Sequence, residues 1–118
     1  MKVEISDFHS PDIDWEDATP AEWKARRSVL VQVFAGPRGG KGAESFTLMA
    51  CTPEYIAEMV REHGVVDGRH HLVMASLDRR LIERYLRRRI ESLEAYDWSE
   101  LTLKIGRFGL WEGEDYSD

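Results

Sequence analysis

The sequence predicts an α+β fold, an antiparallel sheet of about four strands with two main helices packed on one face. Three observations predict it. Two β-branched and apolar runs, SVLVQVFA (28–35) and ESFTLMAC (44–51), flank a stretch with four glycines, as antiparallel partners joined by a long hairpin loop do. The segment Leu77–Leu93 repeats apolar residues at helical spacing, with arginines across from them. A second helix opens at Thr52-Pro53, a capping residue followed by a proline suited to the first turn.

In chain order, KVEISDF (2–8) alternates at Val3 and Ile5, the period of a half-buried strand. HSPDIDWEDATPAEW is rich in Asp, Pro and Ser and reads as a loop with one helical turn at Pro20–Trp23. SVLVQVFA reads as a central strand. In ESFTLMAC, Phe46, Leu48 and Ala50 share one face, and Ser45, Thr47 and Met49 the other. In the helix that follows, Glu54 complements the dipole and Ile56, Met59, Val60 and His63 share a face. Gly64 stops it. Asp67-Gly68 signals a turn, and His71–Ala75 a short strand. Leu77, Leu81, Tyr85, Leu86, Ile90 and Leu93 form the apolar stripe of the long helix. The C-terminal segment fits two patterns. Leu101, Leu103 and Ile105 alternate like a strand, whereas Leu101, Ile105 and Phe108 fit a helix face. Asp97 or Ser99 can cap, and Glu100 stands at capping-box spacing from Asp97, which favours a short helix at Ser99–Arg107, ended near Gly109, then a brief strand at Leu110–Glu112.

With 118 residues, 42% of them hydrophobic and 32% charged, the chain is expected to be one globular domain, 1–118, with a core of its own. No apolar run approaches the roughly 20 residues that span a bilayer. The first residues lack the apolar core of a secretory signal. One cysteine, Cys51, excludes an internal disulfide and a Cys-based zinc cluster. A cytoplasmic protein is expected. The net charge of −6 argues against nucleic acid and for a basic or neutral partner. The charge is uneven: acids crowd residues 1–23, arginines crowd 79–89, and the tail is acidic again at Glu112, Glu114, Asp115 and Asp118.

The stretch FAGPRGGKGAESF resembles a phosphate loop at first sight. A Walker A loop needs G-x-x-x-x-G-K-[ST] ahead of a helix. Here Gly36 to Gly40 is one residue short, Lys41 precedes Gly42 rather than a hydroxyl, and a strand pattern follows. The glycines therefore read as turn residues, with Pro37 fixing one corner. His70-His71 would point to opposite faces of a strand and cannot easily share an ion. Cys51 precedes a helix start, which can activate a thiol, but no Cys-His signature accompanies it, so a core cysteine is favoured. Ser28, Ser45 and Ser76 lack a nucleophile elbow. No catalytic constellation, metal-ligand set or cofactor motif emerges.

Two features point to partners. The arginine-rich helix, 78–95, could serve a small nucleic-acid-binding or regulatory module; a solvated or internally paired face is favoured, with Glu83 and Arg87 placed to pair at i,i+4. Trp15 stands among Asp12, Asp14, Glu16 and Asp17, where it either folds onto the core or waits for a partner. Trp23, Trp98 and Trp111 read as core or core-edge.

The order FHSPDI, GPRGGKGAESF, CTP opening a helix, a long amphipathic helix, and DWSEL…FGLWEGEDY resembles the immunity protein 8 family of bacterial polymorphic toxin systems, across nearly the whole chain. The resemblance implies an α+β fold and a non-enzymatic role: binding and neutralising a cognate toxin domain. A nucleic-acid-targeting toxin would be basic and would suit an acidic inhibitor. The motif residues look structural, so no contact residues carry over. The expected toxin-contact residues are therefore Asp12, Asp14, Trp15, Glu16 and Asp17. Monomer and homodimer are both open.

Overall fold

The computed structural model describes residues 1–113; the acidic tail residues Glu114, Asp115 and Asp118 lie outside the described residues. The chain runs β1 (Val3–His9), α1 (Pro20–Lys24), β2 (Ser28–Pro37), β3 (Glu44–Cys51), α2 (Pro53–His63), β4 (His71–Val73), α3 (Arg79–Ile90), α4 (Trp98–Ile105) and β5 (Leu110–Trp111). The fold is α+β. Its sheet has five strands, the four of the order β1-β2-β3-β4 and a short β5 also on β3.

β2 and β3 pair antiparallel from Ser28↔Cys51 to Ala35↔Glu44, as the glycine-rich hairpin requires. Two glycines earn their place by different means. Gly39 turns the loop with a φ of 76°, a region costly for residues with a Cβ. Gly36 lies so close to the Gly42 carbonyl that a Cβ there would collide with it.

β4 departs from the antiparallel expectation: it pairs parallel to β3, Met49↔His71 to Cys51↔Val73. The reason is the connection. A strand followed by a helix and another strand returns in the same direction, whereas a hairpin reverses it. β5 takes the remainder of the same β3 edge, at Phe46↔Trp111 and Thr47↔Leu110.

One sheet face forms the core. Val29, Val31, Val33 and Ala35 of β2 and Phe46, Leu48 and Ala50 of β3 are buried on it. β1 adds Val3, Ile5 and Phe8. Simple alternation would turn Phe8 away, but a β-bulge between Ile5 and Asp7 restores it to the core face.

The two helices on this face are α3 and α4, which correct the pair expected from sequence. They insert Ile82, Leu86 and Ile90, and Leu101 and Ile105, into the same cluster. Each fully buried aliphatic side chain stabilises by roughly 1.5–3 kcal/mol. The α3 stripe also differs from expectation. Asp78 caps the helix by accepting from the Leu81 N–H at 3.2 Å. The i, i+4, i+8 row is then Ile82–Leu86–Ile90, and Leu81 is rotated out to 43% exposure. Leu77 is buried just before the cap. α4 is a helix, as the capping signal favoured: Asp97 Oδ1 accepts the Glu100 N–H at 2.8 Å. The Glu100 carboxylate takes the Tyr96 N–H instead of completing the box at Asp97.

α2 buries no residue and contributes none to the core. It lies against the other sheet face at the Ser28–Cys51 end, where Arg27 ion-pairs with Glu58 and Ser28 shares a cleft with Tyr55 and Met59. Gly64 ends it with a φ of 80°. By register, the rest of that second face presents Leu30, Gln32 and Phe34 beside Met49, Thr47 and Ser45.

Candidate partner-binding surface

The acidic loop is built, not loose. β1 stops pairing with β2 at His9↔Gln32. The next free β2 donor, the Leu30 N–H, is taken by Asp12 Oδ2 at 2.8 Å. Asp12 thus substitutes for a missing strand. Ser10, itself buried, accepts the Asp12 N–H at 3.0 Å, and Arg26 donates to the Asp12 carbonyl at 3.1 Å. Asp14 Oδ1 accepts the Asp17 N–H at 3.1 Å, closing a one-turn Asx loop. Thr19 then caps α1 at the Glu22 N–H.

Within this loop Trp15 points inward. It is 4% exposed, stacks on Phe8 with ring centroids 5.5 Å apart, and meets Trp23 edge-on at 5.0 Å. Its indole N–H donates to Glu83 Oε2 at 3.0 Å. The core alternative of the sequence reading describes this side chain. Asp12, Asp14, Glu16 and Asp17 surround it on the outside, all exposed.

Glu83 also pairs with Arg79 at 3.3 Å, rather than with Arg87 as the spacing allowed. Arg79 in turn reaches Glu16 at 3.6 Å. Arg87 pairs with Glu91 at 3.4 Å, donates to the Ile5 carbonyl at 3.2 Å and lies over the Phe8 ring at 5.2 Å. Arg89 covers Phe108 at 5.3 Å. Much of the arginine run is thus spent inside the molecule, with Arg80 and Arg84 left facing solvent.

The E-S-F and W-E cues form a clasp. The Glu44 carboxylate accepts the indole N–H of Trp111 at 2.8 Å and that of Trp98. One residue on, the Ser45 N–H donates to Glu112 Oε1 at 2.8 Å, and the Glu112 N–H donates to the Ser45 carbonyl at 3.0 Å. One carboxylate therefore ties β3 to β5 and α4. Gly109 allows the approach: a Cβ there would sit 3.2 Å from that of Phe46.

The remaining candidates resolve locally. The His70 ring bonds the Gly106 carbonyl at 2.7 Å and the His71 ring the Arg69 carbonyl at 3.0 Å, so the pair serves two separate acceptors. Among the described residues no His, Cys, Asp and Glu cluster could hold a metal ion. Cys51 is buried, and desolvation pushes its thiol pKa up, away from the reactive thiolate. The cleft beside His70 and His71 holds about 230 Å³, below the roughly 300–1,000 Å³ usual for small-molecule sites. A larger cleft of about 360 Å³ lies between α1 and the start of α3, lined by Trp23, Lys24, Leu77 and Arg79 among others. No helix is long and apolar enough to cross a membrane, among the described residues.

Structure therefore spends the recognisable motif residues on scaffolding an α+β sheet and leaves a built acidic rim outside. The chain belongs to the immunity protein 8 family, whose sequence model matches residues 3–116. No match was found among curated proteins or solved structures.

Proposed function

We propose that this protein protects a bacterial cell, from within its cytoplasm, by binding and neutralising a cognate polymorphic toxin domain without catalysing a reaction. The family match over residues 3–116 carries the reading. Two physical observations support it. The motif residues close a clasp instead of converging on a reactive centre, and the net charge of −6 suits a basic, nuclease-like target. The mechanism is occlusion: an acidic surface covers the toxin's active site and competes with its polyanionic substrate.

The acidic loop supplies part of that surface. Glu16 and Asp17 present exposed carboxylates, and Asp12 and Asp14 each keep one carboxylate oxygen that accepts no backbone N–H. Trp15 holds the loop in place from below.

The test is co-expression with the C-terminal domain of whatever large secreted protein is encoded next to this gene, scoring growth rescue and co-purification together. Rescue with a stable complex is expected. Rescue without any complex would overturn direct binding, and a complex that left the toxin active would overturn neutralisation.

A further inference from the structure

The second face of the sheet has the composition of a buried surface, yet Leu30, Gln32, Phe34, Ser45, Thr47 and Met49 on it are only half-buried. β2 is apolar on both sides: Val29, Val31, Val33 and Ala35 enter the core, while Leu30 and Phe34 point the other way. A strand that is apolar on both faces belongs in a sheet covered on both faces. Here α3 and α4 cover one, and α2, which buries no residue of its own, meets the other at its Ser28–Cys51 end.

The register makes the uncovered part continuous. Phe34 lies between Asp7 of β1 and Ser45 of β3. Gln32 lies between His9 and Thr47, and Thr47 faces Leu110 on its far side. Such neighbours sit about 4.5–5.5 Å apart. Leu110 is 44% and Val73 50% exposed, although both are strand residues. The charges on this face are of one sign: β1 places Glu4 and Asp7 on it, and the face positions of β1, β2, β3 and β5 hold no lysine or arginine. At the β1 end it runs into the acidic loop through the Asp12–Leu30 bond.

We propose that this sheet face, centred on Phe34, is the main docking surface for a basic toxin domain, with the acidic loop as one rim. The inference rests on the toxin-binding reading and adds where the toxin sits. An apolar centre with a polar, singly charged rim is the anatomy of a protein interface. Phe34 supplies the aromatic anchor that Trp15, turned into the core, does not.

The test uses the 118-residue chain and the toxin domain that the co-expression experiment identifies. Phe34→Ser, and separately Gln32→Arg with Thr47→Arg, are compared with the wild type by calorimetric titration and thermal melting. The arginine pair replaces a half-buried polar cross-strand pair by long side chains that can reach solvent and sets cations against a basic partner, so it tests the face even where Phe34→Ser folds poorly. The expected result is Kd at least about 30-fold weaker for the arginine pair, which still melts cooperatively although its like charges, opposed across the strands, lower its Tm somewhat. Wild-type affinity in the folded arginine pair would overturn the inference while leaving the toxin reading intact. Failure of the wild type itself to bind would overturn the toxin reading, and this inference with it. Self-association of the free protein that the arginine pair abolishes would overturn it too, by making a second copy the occupant.

Discussion

Replacing Glu44 by alanine should unclasp the C-terminal edge of the molecule. Glu44 is half-buried on the core side of β3, and its carboxylate takes the indole N–H groups of Trp98 and Trp111. The alanine variant leaves both donors without a protein partner. Stranding a buried donor costs about 1–3 kcal/mol. Both tryptophans are partly exposed, so water recovers some of this. The expected loss is about 2–3 kcal/mol, which for a chain of this length lowers Tm by roughly 8–12 °C. Urea denaturation followed by far-UV circular dichroism measures it. Glu44→Gln, which keeps one acceptor oxygen, should lose about half as much. A double-mutant cycle with Trp111→Phe should show a coupling of about 1 kcal/mol or more. A loss below about 0.5 kcal/mol in Glu44→Ala, the range of a neutral surface change, would refute the clasp.

Three further outcomes are expected. Trp15→Ala should cost about 3–5 kcal/mol, because it opens a cavity beside Phe8 and Trp23; Trp15→Phe should cost far less and hold toxin affinity, and a folded Trp15→Phe that has lost binding would restore a direct contact role. Gly36→Ala should destabilise by about 1–3 kcal/mol through collision with the Gly42 carbonyl, whereas Gly39→Ala, with open space around it, should cost only about 1 kcal/mol for its positive φ; equal effects in chemical denaturation would contradict the packing role of Gly36. Native Cys51 should resist a thiol reagent at neutral pH and react at once in denaturant. The folded thiol's pKa is raised, so its contribution to stability is fully present below the ordinary value of 9.0 and is lost as pH climbs from there through the raised folded value; a Cys51→Ala variant with the same alkaline loss of stability would remove that assignment.

The sequence by itself determined whatever depends on neighbours in the chain. The helix starts at Thr52 and Asp97 and the stop at Gly64 are local hydrogen-bond chemistry, and each was legible. So was the β2–β3 hairpin, since Gly39 and Gly42 supply the positive φ its long loop needs. The family was legible as a spacing of many small cues. Tertiary structure decided which face each element shows. Leu81 and Ile82 are equally apolar and adjacent, and only docking against the sheet buries Ile82. The bulge that turns Phe8 inward leaves no mark in a stretch read by alternation. β4 runs parallel because its crossover returns it to an edge of β3 itself, a choice of neighbour that local pattern does not fix. Trp15 shows the limit most plainly. Its acidic neighbours left core and partner surface both open, and its environment is set by Phe8, Trp23 and Glu83. Glu83 lies 68 positions away, a separation at which sequence pattern carries no information about contact. The signal for the open sheet face was in view all along, in a β2 strand apolar on both sides. Reading it required knowing that α3 and α4 fill one face with buried side chains while α2 adds none to the other.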